Sequence, residues 1–184
     1  MSEKIVARGK IFELVQTEQS DGRLFEMARR APGVRVIIAD FLNKKVLLTR
    51  EYRNELSAYD YRLPGGKVFD TLDEFAEFRR AKGDIKQAAH QKAIAESREE
   101  AAIAVDEIDY ITTSKLGATV EWDLYIFEAK SWKVLDSQSL EIGEDITHEW
   151  YSFVEVEQKI MQGSMQEERV AMILLRWLKS SGGL

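Results

Sequence analysis

Three glutamates stand close together in residues 95–103, which read AESREEAAI. Glu96, Glu99 and Glu100 follow the spacing i, i+3, i+4, so on an α-helix their carboxylates share one face. Like charges at this spacing destabilise a helix by about 0.2–0.5 kcal/mol per pair. Two interpretations follow. Either the carboxylates form a solvated face, which Lys92 would support by pairing with Glu96, or they surround a bound cation.

The flanking sequence favours the cation. Gly65 and Gly66, in the stretch YRLPGGKVFD, lie in a predicted loop before the helix. Three acidic residues follow in a second predicted loop: Glu141, Glu144 and Asp145. Hard divalent cations such as Mg²⁺ bind carboxylate, backbone carbonyl, water and phosphate oxygens. A helix face, a tight backbone turn and a loop carboxylate together provide such a ligand set.

The composition limits the classes of protein that the chain can represent. It has 184 residues, 45% hydrophobic and 32% charged, which suits a single domain spanning residues 1–184. The absence of Cys excludes a thiolate nucleophile, a disulfide and a zinc–cysteine site. The formal net charge of −6 argues against a nucleic-acid partner. Without an apolar run of roughly 20 residues or a signal-peptide core, we expect a cytoplasmic protein and no membrane partner.

The patterns of apolar residues predict a mixture of strands and helices. Strands are predicted at residues 10–18, 24–30, 34–41, 46–52, 108–116, 121–132 and 149–154. A short helix ending near Gly83 is predicted before three further helices at residues 85–105, 155–163 and 165–180. Residues 140–149 are predicted as a loop. This order indicates an α/β (α+β) fold with a mixed sheet between helical layers.

Two stretches together resemble the signature of the Nudix hydrolases. That signature runs Gly, five residues, Glu, seven residues, and then Arg-Glu-apolar-x-Glu-Glu-x-Gly-apolar. LPGGKVFD resembles its opening, with Gly66 as the signature glycine. AESREEAAI resembles its close, with Glu96, Glu99 and Glu100 as the helix glutamates. The resemblance implies a Nudix-like α/β/α sandwich with a mixed central sheet and an N-terminal β-rich segment.

The resemblance extends to the ADP-ribose and ADP-sugar pyrophosphatases of that family. RRAPGVRVIIAD, VLLTREYR and the stretch from LEIGEDITHE to the last helix are similar to this subgroup, so the likeness covers residues 28–178. It implies Mg²⁺-dependent hydrolysis of the pyrophosphate bond of a nucleoside diphosphate sugar, with ADP-ribose as the default substrate. It also implies a homodimer that pairs through strands within residues 1–30, which would otherwise leave an exposed edge.

The chain departs from the signature at several positions. Ala95 stands where the family has arginine, and Ala102 stands where it has glycine. The signature is also interrupted by residues 71–87, which we expect to form an ordered surface insertion outside the metal site. The missing arginine would brace the glutamates through charge-assisted hydrogen bonds, a role that Lys92 fills in part. We therefore expect a working but weakened site that depends more on its cation.

The resemblance also assigns roles to individual residues. Metal binding falls to oxygen atoms of five residues: Gly65 (through its carbonyl), Glu96, Glu99, Glu100 and Glu144. The catalytic candidates are Glu99, Glu144 and Glu141. Glu99 is a third helix ligand or holds a metal-bound water, Glu144 binds the metal or orients the attacking water, and Glu141 is a weaker candidate for the general base. The implied metal is Mg²⁺, with Mn²⁺ as the alternative.

Three arginines are candidates for substrate binding. Arg53, in TREYRNE, and Arg29 or Arg30 would hold the terminal phosphate or sugar of a nucleotide sugar. The competing interpretation is that they are surface residues or pair with nearby glutamates.

Aromatic and histidine residues are weaker candidates. Trp122, Trp132 and Trp150 are candidates for stacking on a base, although aromatic residues in strands more often pack in the core. His90 and His148 lack the spacing of a paired metal site and are interpreted as structural or exposed.

Two other functions agree with the same residues. One is an enzyme with the same chemistry that acts on a nucleoside triphosphate or a dinucleotide, although the long N-terminal strand region favours a nucleotide sugar. The other is a protein of the same fold that binds a nucleotide without hydrolysing it, which Ala95 and the interrupted signature suggest. Measuring ligand binding together with phosphate release separates the last function from the first two.

Overall fold

The fold consists of ten strands and four helices in a computed structural model that describes residues 3–140, 143 and 145–181. The strands are β1 (Glu3–Arg8), β2 (Glu13–Glu18), β3 (Leu24–Arg29), β4 (Gly33–Asp40), β5 (Lys45–Arg53), β6 (Ala58–Arg62), β7 (Ile103–Ser114), β8 (Val120–Glu121), β9 (Leu124–Val134) and β10 (Ile146–Ser152). The helices are α1 (Leu72–Arg80), α2 (Ile85–Ala101), α3 (Phe153–Met161) and α4 (Glu168–Ser180).

The strands form two sheets. The smaller sheet has the order β1-β2-β3-β8, in which β3 and β8 are parallel and the other pairs antiparallel. The larger, central sheet has the order β10-β5-β4-β9-β7, with β6 added alongside β5. Its β4 and β9 run parallel, whereas its other pairs are antiparallel, so the central sheet is mixed as predicted.

Helices cover both faces of the central sheet. All of β4 except its last residue is buried, as expected for a strand that is covered on both sides. Ile37 packs with Phe153 of α3 and Leu174 of α4. Ile38, which points to the opposite face, packs with Ala93 of α2. The result is the predicted α/β/α sandwich, with α3 and α4 on one face and the long helix α2 on the other.

Helix α2 is shorter than predicted. It ends at Ala101, and Ala102 adopts the left-handed conformation with φ 53° and ψ 39°. Val105 therefore lies in β7 and not in the helix. The prediction was wrong because alanine is a good helix former, whereas the chain here must turn into β7. The Ala102 carbonyl accepts a hydrogen bond of 2.7 Å from the backbone N–H of Leu135, just beyond β9.

Two other elements differ from the prediction. No strand was predicted before residue 10, but β1 lies there, exposed along its whole length at the edge of the smaller sheet. Residues 140–149 were predicted as a loop, but β10 begins at Ile146, opposite Glu51 of β5. The polar residues of this stretch lack the apolar pattern by which strands were predicted. They are tolerated because β10 lies at the edge of the sheet, where one side needs no apolar cover.

Two predictions concern contacts of the chain with a membrane and with a second copy of itself. Among the described residues, no helix combines the length and apolar character needed to cross a membrane. The exposed β1 edge is the place where the predicted homodimer would form, and the homodimer stays a prediction.

Candidate metal and substrate site

Helix α2 carries the three glutamates into the protein. Asp84 caps its first turn by accepting hydrogen bonds from the backbone N–H groups of Lys86 and Gln87. Glu96 is 7% exposed and Glu100 is 9% exposed. The interpretation as a solvated face is therefore wrong for these two carboxylates. Burial without a partner would cost several kcal/mol per charge, so each must be compensated locally.

The glycine turn packs directly against these carboxylates. The backbone N–H of Gly65 donates a hydrogen bond of 2.8 Å to Glu100 Oε2. A Cβ atom at Gly66 would collide with the Glu96 carboxylate, and one at Gly65 would collide with the Val34 carbonyl. Gly65 also has φ +146°, which disfavours side chains. Both glycines are thus required for the close approach of turn and helix.

Lys92 supplies positive charge between two of the glutamates. Its Nζ lies 3.0 Å from Glu96 Oε1 and 3.6 Å from Glu99 Oε2. Burial raises the pKa of Glu96, and the charge of Lys92 opposes that shift. Burial also acts to lower the pKa of Lys92, but the charges of Glu96 and Glu99 outweigh it, so this pKa is raised. Lys92 is therefore a protonated cation held inside the acidic cluster.

Arg35 contacts the turn from the opposite side. Its Nη1 donates hydrogen bonds of 2.6 Å to the Gly65 carbonyl and 2.9 Å to the Val34 carbonyl. Its Nη2 donates one of 3.1 Å to Glu167 Oε2. The Gly65 carbonyl, which the resemblance assigns to the metal, already accepts from a buried guanidinium. A carbonyl has two lone pairs, so one acceptor position remains.

These groups surround a small cavity of about 70 Å³, here called the acidic cavity. Its lining consists of Gly66, Lys67, Asp70, Lys92, Glu96, Glu99 and Glu100. The donor chemistry fits Mg²⁺, because four of these side chains are carboxylates and the volume admits an ion with about one water. Within the described part of the chain, however, no three Asp, Glu or His side chains converge as a ready-made metal group. In this arrangement Lys92 takes the central position.

The predicted acidic loop completes this picture only in part. Glu141 and Glu144 lie outside the described residues. Their assignments as general base and loop ligand stay predictions.

A larger cleft of about 840 Å³ joins the acidic cavity, with which it shares Gly66, Lys67 and Glu100. Five arginines line this cleft: Arg30, Arg35, Arg53, Arg62 and Arg169. A cleft of this volume suits a nucleotide-sized molecule, and guanidinium groups suit phosphate.

The structure separates the three predicted substrate arginines. Arg30 and Arg53 line the cleft. Arg53 also forms ion pairs of 3.0 Å with Glu51 and 2.8 Å with Glu55, so it is partly neutralised in this arrangement. Arg29 does not line the cleft.

Arg29 is the centre of an ion cluster on the smaller sheet, in which Arg29 and Glu13 are buried. The Arg29 cluster consists of Arg29, Glu3, Glu13 and Glu121. The guanidinium lies 2.8 Å from Glu3, 2.8 Å from Glu121 and 3.5 Å from Glu13. Arg29 is 2% exposed and does not line the cleft. Its position indicates a structural role, in agreement with the alternative that it pairs with nearby glutamates.

Sequence reasoning missed Arg35 and Arg169. The signal for Arg35 was a charged residue inside the otherwise apolar strand VRVIIAD, because a buried arginine there requires partners. Arg169 gave no signal, since a basic residue on an amphipathic helix is ordinary. Its guanidinium lies 4.1 Å from the ring centre of Trp122, and Arg30 lies 4.2 Å from the same ring.

The remaining aromatic and histidine candidates pack within the protein. Trp132 and Trp150 stack on each other with ring centres 5.2 Å apart. His90 lies edge-on to Phe127, and His148 Nδ1 is 2.6 Å from an oxygen of Gln138. Of the three tryptophans, Trp122 alone lines the cleft.

Neither a protein-family model nor a curated protein matches the chain in sequence. A solved structure described as the crystal structure of ADP compounds hydrolase does match in fold, with a TM-score of 0.66. The match covers 100% of this chain and 95% of that one, at 19% sequence identity. At this identity the likeness shows the fold alone. The chain therefore has a Nudix-like fold, as the sequence predicted.

Proposed function

We propose that the chain is a hydrolase that cleaves the pyrophosphate bond of a nucleoside diphosphate sugar, with ADP-ribose as the default substrate. One observation carries the proposal: two buried carboxylates, Glu96 and Glu100, meet a glycine turn at the end of an arginine-lined cleft. The fold neighbour, described as an ADP compounds hydrolase, supports the same general chemistry. The dependence on Mg²⁺, or Mn²⁺, belongs to the proposal.

The acidic cavity is the proposed metal site. Glu96, Glu99 and Glu100 would hold the ion, together with the Gly65 carbonyl and Glu144. Bound there, the ion would neutralise phosphate charge and make a metal-bound water more acidic. Lys92 must then shift away from Glu96, which its long side chain permits.

The arginines of the cleft are proposed to bind the diphosphate. Arg30 lines the cleft without an ion pair to any described residue, so its charge is available to a phosphate. Arg53 would exchange its glutamate partners for the substrate. Arg35 would position the Gly65 carbonyl. Hydrolysis adds the oxygen of water to one phosphorus, and the other phosphate leaves with the bridging oxygen.

A substrate panel tests the proposal. ADP-ribose, other nucleoside diphosphate sugars, a dinucleotide and nucleoside triphosphates are incubated with Mg²⁺ or with EDTA, and the phosphate products are measured. We expect AMP and ribose 5-phosphate from ADP-ribose with Mg²⁺, and loss of turnover in EDTA. Full activity in EDTA would refute the metal site. Faster turnover of triphosphates or dinucleotides would show that one of these, and not a nucleoside diphosphate sugar, is the substrate.

A second candidate function rests on Lys92. This lysine already compensates Glu96 and Glu99, as a bound ion would. A protein with such a cluster could bind a nucleotide sugar in the cleft without hydrolysing it. Calorimetric titration with ADP-ribose that gives saturable binding, together with no product after long incubation with Mg²⁺, would favour this function.

A homodimer is proposed with the same function. The β1 edge is exposed, and residues Ile5 and Leu24 of the smaller sheet are 49% and 63% exposed. Pairing of this sheet with a second copy would cover them. Sedimentation should give a dimer at micromolar concentration, and a monomer alone would contradict the proposal.

A further inference from the structure

A separate cavity lies between the α1 segment, defined as residues 71–83, and the body of the protein. Its volume of about 300 Å³ is at the lower end of the range for small-molecule sites. Phe78 and Lys82 line it from the α1 segment, and Arg30, Asp123 and Tyr125 line it from the body. This α1 cavity has no lining residue in common with the acidic cavity.

The wall formed by the α1 segment is firmly attached. Phe69, which follows the glycine turn, has its ring centre 5.4 Å from that of Phe75 and 4.8 Å from that of Phe78. Asp73 forms an ion pair of 2.8 Å with Arg8 of β1. A Cβ atom at Gly83 would collide with the Phe78 ring, so this glycine permits the packing. The α1 cavity is therefore preformed.

Three residues that line this cavity have either a charge without an ion pair or a hydroxyl without a hydrogen bond among the described residues. Tyr125 is 6% exposed, and its hydroxyl forms no hydrogen bond with a described residue. Burial raises the pKa of Tyr125 to about 12, so the hydroxyl remains a donor at neutral pH. Lys82 and Arg30 have no ion-pair partner within the described part of the chain. The Tyr125 side chain lines the cavity, so its hydroxyl is available to a ligand or water there, and the Nε of Arg30 is buried without a hydrogen-bond partner among the described residues.

The lining suits a ligand that combines a flat ring, hydroxyl groups and a nearby anion. The ring of Phe78 offers a stacking surface, and Asp123 offers an acceptor for ribose hydroxyls, since its nearest cation, Lys115, is 3.9 Å away. The other carboxylate that lines the cavity, Glu121, is already paired with Arg29. A wholly anionic ligand would be repelled by Asp123, whereas a nucleoside carries no charge of its own.

Arg30 connects the α1 cavity to the cleft, because it lines both. A phosphate at Arg30 would therefore place an attached nucleoside within reach of the α1 cavity. We propose, resting on the proposed function, that the α1 cavity binds the nucleoside end of the substrate while the diphosphate lies in the cleft. The α1 segment is then part of the substrate site and not merely a surface addition.

The first test uses AMP as the probe and needs no metal. AMP is added to ¹⁵N-labelled protein in EDTA, and backbone amide shifts are followed. We expect saturable shifts at Lys82, Gly83 and Ile85, and none at Gly163, which does not line the cavity. Ribose 5-phosphate, which lacks the base, should bind at least tenfold more weakly. Shifts confined to the cleft, or equal binding of ribose 5-phosphate, would overturn the proposal.

The second test compares matched variants. Tyr125→Phe removes only the unpaired hydroxyl, and Lys82→Gln removes only the charge. Each should raise the Kd of AMP and the KM of ADP-ribose by about three- to tenfold, the scale of one hydrogen bond. Tyr110→Phe is the control for the first. Lys44→Gln is the control for the second, because Lys44 and Lys82 are both exposed with φ near +50°.

The two proposals fail in distinguishable ways. Turnover of ADP-ribose with unchanged KM in both cavity variants would overturn the nucleoside site and leave the hydrolase intact. Binding of AMP at the α1 cavity without any turnover would support the nucleoside site and refute the hydrolase.

Discussion

Two of the clusters in which cations and carboxylates are buried together, the Arg29 cluster and the acidic cavity, are built in opposite ways. In the Arg29 cluster, one arginine that is 2% exposed is surrounded by three carboxylates. In the acidic cavity, a lysine whose side chain is 23% exposed lies between Glu96 and Glu99 at the end of a cleft. The first cluster is called closed here because its cation is buried and held by three carboxylates, although Glu3, Glu13 and Arg29 also line a surface cavity. The second is open, so its lysine can exchange places with another cation.

The largest expected effect comes from breaking the closed cluster. Arg29→Met leaves the buried Glu13 with Arg8, 3.5 Å away, as its remaining cation, and should lower the free energy of unfolding by about 3 kcal/mol. The value is at the lower end of the range for buried pairs because Glu3 and Glu121 are partly exposed. Urea denaturation measures it, with the exposed Arg23→Met as control. A loss below about 1 kcal/mol would show that the cluster is not closed.

Breaking the open cluster should affect turnover more than stability. Glu100→Gln keeps the size of the side chain but removes a charge that faces the glycine turn. We expect kcat for ADP-ribose to fall by about a hundredfold or more. Glu107→Gln, on an exposed position of β7, is the control and should be unchanged. Unaltered kcat in Glu100→Gln would remove this carboxylate from the metal site.

Lys92 tests directly whether the open cluster exchanges cations. Lys92→Met should destabilise the metal-free protein by about 1–2 kcal/mol, and Mg²⁺ should restore most of that loss by binding only the folded state. Thermal melts with and without Mg²⁺ measure both effects. Lys130→Met is the matched control, because Lys130 pairs at 2.9 Å with the buried Glu128. An equal loss with and without Mg²⁺ would mean that Lys92 is only structural.

The smallest effect should come from Ala102, just after α2, which belongs to neither cluster. Ala102→Gly relieves a left-handed residue, a gain of about 1–2 kcal/mol, but loses a buried methyl group worth about 0.8 kcal/mol. The net gain in unfolding free energy should be about 0.5 kcal/mol. Ala101→Gly, one residue earlier and helical, should instead lose about 1 kcal/mol or more. Destabilisation by both variants would contradict the role assigned to the left-handed turn.

The difference between the clusters also explains which contacts could be predicted from the sequence and which could not. The positions of Glu96, Glu99 and Glu100 follow from helix periodicity, so their shared face was predictable from a few neighbouring residues. The Arg29 cluster joins residues from four separate strands, and Glu121 is 92 positions away from Arg29. No local pattern encodes such a contact. Arg29 was for this reason assigned to substrate on resemblance, whereas the structure places it in the interior.

The fold itself was predicted well because alternation and amphipathicity are local. The end of α2 was misplaced since the hydrogen bond that fixes Ala102 comes from Leu135, a residue beyond the next three strands. The roles of Arg35 and of the α1 cavity depended on tertiary contacts in the same way. The residue types indicated that the protein binds a metal and phosphate. The packing of distant segments determined which of these residues lie in the same site.

The contact between Arg35 and Glu167 has a consequence for the protein during its synthesis. The two residues are 132 positions apart, and their hydrogen bond helps to hold the guanidinium that contacts the glycine turn. Domains fold largely in the order in which the ribosome releases them. A nascent chain can contain β4, the turn and α2 before β7 to β10, α3 and Glu167 have been synthesised. The nascent protein should therefore remain without a completed site until Glu167 has left the ribosome.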